Sequence, residues 1–496
     1  MKRCLYGFLC ILGMQYKYGK SKSNLVVSKP KEARADLWLS IVSEAESRGR
    51  RRPRRPGPPR EDNVVVDEPY KDLKVEAVDF LIGENGKEHH TEQYDLTGSS
   101  AKLVLRRGSP FSVKIRFSRK FNLKEDNLRF TLSAGEDPQH GDGTLVNFSL
   151  TEKDLRGKWS AEMTEEKENE IKVKIQIPSE CLVCQWDFKV EILEQKDGKP
   201  IVHLNKKIFP EEIYIIFNPW NKADTVYLED ENLRKEYVLN DDGAIWIGDS
   251  TRKRAWFFGQ FEKNILDCTM YLLDYGDESM KTRGNSVLVS RKLSAVGNAP
   301  DEGGLLVGNW SGNYSGGTNP SKWVGSVKIM QQFWEKKFPV NFGQCWVFSG
   351  VTTTMCRAIG IPCRSVTNFS SAHDTNGSIT IDRTFDIDGN SINVSGRKEG
   401  ISNNSRNFHV WNEVWMRRPD IPNGKYDGWQ AIDSTPQELS NNIFQCGPMP
   451  VAAIKEGHLS FNYDGPFIFA EVNADVVTWV IGRDGQKYLS DIDRQR

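Results

Sequence analysis

The chain has 496 residues, and its 67 Lys and Arg residues are balanced by 67 Asp and Glu residues. A chain of this length should divide into roughly three units at about 150 residues each, or into one large and one smaller domain. Because the charges balance, no overall field attracts nucleic acid, and we expect no nucleic-acid partner. Nine cysteines at irregular spacing do not indicate the disulfide framework of a small secreted domain, so reduced thiols are expected.

Residues 1–67 are predicted to form a disordered basic extension. The start, Lys2 and Arg3 followed by the apolar stretch Cys4 to Met14, imitates a secretory signal, but no small-residue cleavage site follows. The arginine- and proline-rich run from Arg50 to Pro56 cannot bury apolar surface. The cytoplasm is the favoured location, whereas secretion and peripheral membrane association through this arm stay open alternatives.

Residues 68–214 are predicted to form an antiparallel β-sandwich. Apolar and polar residues alternate from Phe111 to Ser118, which is the period of a strand with one buried face. The same alternation returns from Ile171 to Ile177 and from Trp186 to Ile192, with turn-rich segments between these runs. Strands at this spacing over about 140 residues are typical of a sandwich.

Residues 215–496 are predicted to form a second domain of the α/β type, because helix-like and strand-like stretches mix after Phe217–Trp220. Within it, Cys345 precedes an apolar face at helical spacing that stops at Gly360. At a helix start, unpaired backbone N–H groups and the helix dipole favour a thiolate, and the N–H groups can receive an oxyanion. Cys345 is therefore the candidate nucleophile.

Two other cysteines of this domain, Cys356 and Cys363, lack such a setting. We expect them to pack as small hydrophobic residues.

A thiolate needs a proton carrier, and His409 is the candidate among the seven histidines. It lies in the strand-like stretch Phe408–Trp415, which a turn-forming segment connects to a second stretch, Gly428–Asp433. Neighbouring strands lie about 4.8 Å apart, so Asp433 could reach the imidazole and fix its tautomer. The order Cys, His, Asp fits a catalytic triad, although many chains contain this spacing by chance.

The text around these three residues resembles the signature stretches of the animal transglutaminase family. The segments are GQCWVF at Cys345, NFHVWNEVW at His409 and GWQAIDSTPQE ending at Glu438. The resemblance extends to FNPW, EYVLND, GNWSGNY, NFSSAHD and FIFAEVNADVVTW, and covers the chain from about residue 70 to its end. Within the family, the sequence is similar to the factor XIII A subunit, to keratinocyte transglutaminase and to invertebrate haemocyte or annulin-like members.

The resemblance implies an immunoglobulin-like β-sandwich followed by a papain-like α/β (α+β) core. Cys345 would attack a protein glutamine amide, expel ammonia and form a thioester, which a lysine amine or a small primary amine then resolves. His409 would act as general base and acid, with Asp433 orienting it. Trp310 in GNWSGNY matches the tryptophan whose indole N–H supports the oxyanion, although by pattern alone it would be a core residue.

The resemblance also implies calcium, a hard cation that binds several oxygen ligands. Asn473 and Asp475 match the principal calcium ligands of the family. Two further calcium sites of the family are matched more loosely. The second site would contain Ala295, Asn298 and Glu302, and the third would contain Asp374, Asn376 and Ser378.

The sequence departs from the family pattern in two ways. It ends at Arg496, so a glutamate pair that completes the principal calcium site and two C-terminal β-barrels are expected to be absent. Arg406 stands where the family usually has a tryptophan that lines the amine tunnel, and its charge should repel an approaching lysine. A catalytically silent, transglutaminase-like structural or binding protein and a papain-type cysteine protease are therefore open alternatives, as is a homodimer.

Overall fold

The computed structural model divides the chain into two units, Met1–Pro53 and Arg54–Arg496, and only the second contains described residues. The predicted basic extension, residues 1–67, lies outside the described residues except for the strand Val64–Val66. The structure describes residues 64–66, 73–94, 102–150, 157–196, 199–203, 212–248, 252–275, 280–301, 303–372, 379–392, 406–437 and 439–494.

The first part of the second unit consists mainly of strands. In chain order its elements are β1 (Val64–Val66), β2 (Val75–Asp79), α1 (Ile82–Glu88), β3 (Leu103–Arg106), β4 (Pro110–Phe117), β5 (Asn127–Ser133), a 3-10 helix (His140–Asp142), β6 (Leu145–Ser149), β7 (Ser160–Lys167), β8 (Glu170–Gln176), β9 (Cys184–Lys196), β10 (Lys199–His203) and β11 (Glu212–Ile216).

These strands form two sheets around one hydrophobic core. The seven-stranded sheet has the neighbour order β1-β10-β9-β11-β3, with β5 pairing both β9 and β6, and the four-stranded sheet has the order β2-β4-β8-β7. Alternate side chains of both sheets, such as Val113 and Val190, are buried in the shared core. Pairing in the larger sheet extends past the expected limits at residues 68 and 214, because β1 pairs with β10 and β11 pairs with β3.

The second part mixes helices and strands. Its helices are α2 (Glu231–Arg234), α3 (Ile265–Leu273), α4 (Ser286–Val296), α5 (Val327–Lys336), α6 (Cys345–Ala358), α7 (Val451–Glu456) and α8 (Gly465–Asn473), with a π-helix (Lys235–Leu239) and 3-10 helices (Met280–Gly284, Pro320–Lys322, Pro422–Gly424). Its strands are β12 (Asp242–Ile247), β13 (Arg252–Phe257), β14 (Leu306–Gly308), β15 (Val340–Gly343), β16 (Cys363–Ser371), β17 (Thr380–Asp386), β18 (Arg406–Met416), β19 (Gly428–Ile432), β20 (Leu439–Ser440), β21 (Ile443–Phe444), β22 (Met449–Pro450), β23 (Asp475–Ile481) and β24 (Lys487–Asp493).

The antiparallel sheet β16-β18-β19-β22 and helix α6 form the centre of this part. Every residue of α6 is buried. The Asn412 side chain of β18 donates to the Ser349 carbonyl at 3.0 Å and to the Thr353 hydroxyl at 2.8 Å, which ties the sheet to the helix. After α6 the chain turns at Gly360 with φ 86°, where a Cβ atom would lie 2.4 Å from the Phe217 carbonyl oxygen, so only glycine fits.

The last strands form a separate sheet, β17-β23-β24, in which β17 and β23 run parallel. Helix α8 leads directly into β23, so Asn473 and Asp475 lie at the junction of a helix and a strand. Among the described residues, none of the helices has both the length and the apolar character needed to span a bilayer.

A buried ion pair joins the two parts. The Arg107 guanidinium donates from Nε and Nη2 to the Asp224 carboxylate at 2.6 and 2.7 Å, and both side chains are almost completely buried. The same guanidinium donates to the carbonyl oxygens of Cys181 at 3.1 Å and Gly284 at 2.9 Å. One side chain therefore holds together three segments that are distant in sequence.

We expect Asp224→Asn to lower the free energy of unfolding by about 3–5 kcal/mol, because it leaves the Arg107 charge buried without its counter-charge. Urea unfolding followed by tryptophan fluorescence measures this. The control is Glu231→Gln, which breaks an exposed ion pair with Lys235 and should leave the unfolding midpoint unchanged. A loss below about 1 kcal/mol for Asp224→Asn, the range of exposed pairs, would contradict this role of the ion pair.

Candidate active site

Cys345 is the first residue of α6, and its side chain is 6% exposed. The preceding Gln344 is extended, with φ −134° and ψ 175°, and its side-chain amide donates to the Asn309 carbonyl at 3.0 Å. The first helical bonds run from the N–H groups of Val347 and Phe348 to the Gln344 carbonyl, at 2.7 and 3.1 Å. The backbone N–H of Cys345 precedes these bonds, so it and the positive end of the helix dipole lie beside the thiol.

His409 lies in β18 and is completely buried. Its Nε2 lies 2.7 Å from Oδ2 of Asp433, which directly follows β19. Oδ1 of Asp433 accepts the Thr435 backbone N–H at 2.8 Å, which fixes the carboxylate. Asp433 can therefore hold the proton on Nε2 and leave Nδ1 as the basic nitrogen.

The imidazole also interacts with the Cys345 thiol. Nδ1 of His409 is buried and has no nitrogen or oxygen partner among the described residues. Since Nε2 faces Asp433, we infer that Nδ1 is the ring atom that faces the thiol. The geometry thus brings a thiol, an imidazole and a carboxylate into one chain of contacts that can transfer a proton.

A second carboxylate lies beside the same imidazole. Oε1 of Glu471, in α8, is 3.7 Å from Nε2 of His409. The Gln437 amide nitrogen donates to Oδ2 of Asp433 at 2.9 Å and to Oε1 of Glu471 at 2.8 Å. Asp433 and Glu471 are 5% and 4% exposed, so both charges are shielded from water.

The carboxylates of Asp433 and Glu471 favour the protonated form of the His409 ring. Burial alone lowers the pKa of His409, but the charges of Glu471 and Asp433, the hydrogen bond to Asp433 and the contact with Cys345 outweigh burial and raise the pKa well above its usual value.

Trp310 lies beside helix α6 and is 50% exposed. Its ring is nearly parallel to that of Phe348 in α6, with the ring centroids 6.4 Å apart. The ring covers Gly308, where an added Cβ atom would lie 2.5 Å from it. The structure therefore places Trp310 on the surface next to the helix that begins with Cys345, and not in the core that its pattern alone would indicate.

Asn473 and Asp475 are half-buried, and neither side chain makes a hydrogen bond to another described residue. An amide oxygen and a carboxylate oxygen are hard ligands of the kind that calcium binds, so these two residues fit as part of a calcium site. Among the described residues, no hydrogen bond or ion pair joins them to Cys345, His409 or Asp433, but Glu471, which lies beside His409, precedes Asn473 by two positions.

The looser calcium matches are only partly described. The amide of Asn298 is buried and donates to the Phe444 carbonyl at 2.8 Å. Glu302, residues 373–378 and the side chain of Arg406 lie outside the described residues.

The cysteines expected to pack in the core, Cys356 and Cys363, are completely buried. Burial raises the pKa of Cys356 well above its usual value, which disfavours a thiolate there.

Sequence reasoning missed Gln437 and Glu471. Glu471 occupies the buried face of α8 together with Phe467 and Ile468, and a carboxylate on an otherwise apolar helix face is a signal that the sequence contains. Gln437 follows Asp433 by four positions within the same signature stretch, but nothing in the sequence indicates that its side chain joins two carboxylates.

Comparison with known proteins identifies the family. The family model described as transglutaminase family matches residues 76–193, and the model described as transglutaminase-like superfamily matches residues 311–434. The chain belongs to the transglutaminase family. Its relatives include annulin from Schistocerca americana, 44% identical over 82% of this chain and 53% of annulin, and the haemocyte protein-glutamine gamma-glutamyltransferase from Tachypleus tridentatus, 41% identical over 82% of this chain and 54% of the relative.

The human coagulation factor XIII A chain is 40% identical over 82% of this chain and 54% of its own length. The chain thus spans about half the length of the curated transglutaminases it matches. The crystal structure of red sea bream transglutaminase superposes with a TM-score of 0.72 at 34% identity, and covers 85% of this chain and 62% of that structure. The transglutaminase fold, with an N-terminal domain and a core, is therefore shared.

The raised pKa of His409 predicts a pH-dependent contribution to stability. A group whose pKa is raised by folding stabilises the native state fully below its usual pKa of 6.5, and this contribution is lost as the pH rises through the higher folded-state value. The difference in melting temperature between the wild type and His409→Gln should therefore shrink as the pH is raised above 6.5. Calorimetry over a series of buffers measures it, and a difference that does not vary with pH would contradict the raised pKa.

Proposed function

We propose that the protein is a calcium-dependent protein-glutamine gamma-glutamyltransferase that forms isopeptide cross-links between glutamine and lysine side chains of proteins. The observation that carries this proposal is the contact of His409 with both Asp433 and Cys345 at the start of a helix. The printed names of relatives, protein-glutamine gamma-glutamyltransferases among them, support the same reaction.

In the first half of the proposed reaction, the Cys345 thiolate attacks the side-chain amide carbon of a protein glutamine. The new C–S bond moves the carbonyl electron pair onto oxygen, and the backbone N–H of Cys345 and the Trp310 indole N–H stabilise this oxyanion. The C–N bond then breaks, the leaving nitrogen takes a proton from the His409 imidazolium, and ammonia departs. The product is a thioester on Cys345.

In the second half, the amine of a protein lysine or a small primary amine attacks the thioester carbon. His409, now neutral, takes a proton from the attacking nitrogen, and Asp433 stabilises the imidazolium that forms. The C–S bond breaks, which releases the Cys345 thiolate and leaves an isopeptide bond. Water in place of the amine would give a glutamate instead.

The proposal includes the finer fold assignment. The two facing sheets of the first part correspond to an immunoglobulin-like sandwich, and helix α6 packed on the sheet β16-β18-β19-β22 corresponds to a papain-like core. In each of the two parts, the sequence pattern and the strand pairing support the fold proposed for that part.

Calcium would be held in part by Asn473 and Asp475, whose oxygens fit a hard cation. A bound divalent cation supplies positive charge and fixes the orientation of the residues that coordinate it.

Incorporation of a fluorescent primary amine into a glutamine-rich protein tests the reaction. We expect Cys345→Ala to reduce incorporation by at least about 10³-fold, because the nucleophile is removed. The matched control is Cys268→Ala in α3, a buried cysteine whose pKa burial raises to about 12, and it should keep the wild-type rate. Absence of wild-type incorporation at every calcium concentration would favour the silent structural protein, and calcium-independent peptide cleavage would favour a protease.

Calcium binding has its own test. Isothermal titration calorimetry should show that Asp475→Asn weakens calcium binding by about tenfold or more, since a carboxylate ligand is lost. Asp491→Asn in the neighbouring strand β24 is the control, because Asp491 is exposed and lies outside the proposed ligands. Equal calcium affinity in Asp475→Asn and the wild type would exclude Asp475 as a ligand.

A further inference from the structure

Glu471 is an unusual residue for its place in the fold. It lies on the buried face of α8 and is 4% exposed. A buried carboxylate is costly unless charged or hydrogen-bonding groups compensate it. Oε1 lies 2.8 Å from the Gln437 amide nitrogen and 3.7 Å from Nε2 of the His409 imidazole. The carboxylate is therefore compensated by the same ring that contacts Cys345.

Gln437 joins this carboxylate to Asp433. The Gln437 amide nitrogen lies 2.9 Å from Oδ2 of Asp433, 2.8 Å from Oε1 of Glu471 and 3.0 Å from Nε2 of His409, and its two hydrogens are available to these groups. The opposite orientation of the amide would point its oxygen at two carboxylates, so the nitrogen belongs on this side. The two carboxylates are thus connected through one amide group on the Nε2 side of His409.

The main chain of Glu471 is fixed as well. Its carbonyl oxygen accepts the side-chain amide of Asn368 at 2.6 Å and the backbone N–H of Ala372 at 3.1 Å. Asn368 lies in β16 directly opposite His409 in β18. Both ends of Glu471 therefore contact the strand pair that carries the imidazole, so the carboxylate cannot move far from the ring without breaking these bonds.

We propose that Glu471 and Gln437 are positioning residues for His409. Together with Asp433, they hold Nε2 of the ring on the carboxylate side, so that Nδ1 faces Cys345. This inference rests on the proposed thiol acyl transfer. A ring flip about the Cβ–Cγ bond would put Cε1 in the place of Nε2 and Cδ2 in the place of Nδ1. It would therefore break the Nε2 contact with Asp433, leave a carbon atom beside two buried carboxylates and turn Nδ1 away from Cys345. Neither positioning residue needs to touch the substrate.

The test uses the isosteric variant Glu471→Gln, which keeps the shape of the side chain and removes its charge. We expect kcat for amine incorporation to fall about tenfold or more, while KM for the glutamine substrate stays within about twofold. Alkylation of Cys345 by iodoacetamide, read by mass spectrometry of its peptide, should slow by a similar factor. Glu456→Gln is the control, since Glu456 is an exposed glutamate of α7, and it should match the wild type.

Gln437→Met removes the connecting amide and should give a loss of similar size. Because the two residues act on the ring as one unit, kcat of the double variant should be no more than about twofold lower than kcat of the weaker single variant. If the fold-losses in kcat of the two single variants multiply in the double variant, the two residues act independently and the joint role is overturned.

Calcium affinity distinguishes a positioning role from a role in metal binding. Calorimetry should give Glu471→Gln the calcium affinity of the wild type, and a parallel loss of affinity would assign Glu471 to the metal site instead. Wild-type kcat and alkylation rates in Glu471→Gln would overturn the positioning role while leaving the transferase proposal intact. A wild-type protein that shows neither amine incorporation nor alkylation of Cys345 would overturn both.

Discussion

Nε2 of His409 in β18 lies 2.7 Å from Oδ2 of Asp433, the residue after β19, and both side chains are buried away from water. Antiparallel pairing of β18 with β19 sets Asn412 opposite Ile432, and Asp433 follows at the end of the strand. Asn412 in turn ties β18 to α6, the helix that begins with Cys345. The position of the imidazole relative to the thiol is therefore set by backbone pairing and by one buried amide, rather than by a flexible loop.

Charge balance is the second constraint on this site. Asp433 and Glu471 place two carboxylates beside one imidazole, and in a shielded region such a pair strongly favours the imidazolium. The positive end of α6 and the neighbouring imidazolium place two positive groups beside the Cys345 sulfur. The imidazolium balances the charge of the buried acids, and this explains why a carboxylate on the apolar face of α8 is compatible with folding.

Local patterns in the sequence were sufficient to predict the helix and the two strands that carry the site residues. The apolar period that stops at Gly360 predicts a helix beginning near Cys345, and the structure has α6 at Cys345–Ala358. The two strand-like stretches around His409 and Asp433 pair as β18 and β19, as the turn between them indicates. The family resemblance, now supported by two family models and by relatives at 40–44% identity, agrees with these patterns.

Contacts between distant segments could not be predicted in the same way. Glu471 reaches His409 only because α8 packs against β16. The spacing of apolar residues in the sequence does not show which elements pack against each other. The pairing of β1 with β10 and the ion pair of Arg107 with Asp224 likewise depend on tertiary structure, and no local sequence pattern indicates them. Trp310 was identified through the family resemblance, since its pattern alone indicates a core residue, whereas its ring is half exposed.

Trapping the acyl-enzyme tests the central claim most directly. A glutamine-donor peptide incubated with the protein and calcium, without any amine acceptor, should leave a thioester that acid quenching preserves and peptide mass spectrometry locates. The account predicts the adduct on the peptide that contains Cys345, with one ammonia released per adduct, and its loss in His409→Gln. An adduct on another cysteine, or ammonia release without dependence on Cys345, would contradict it.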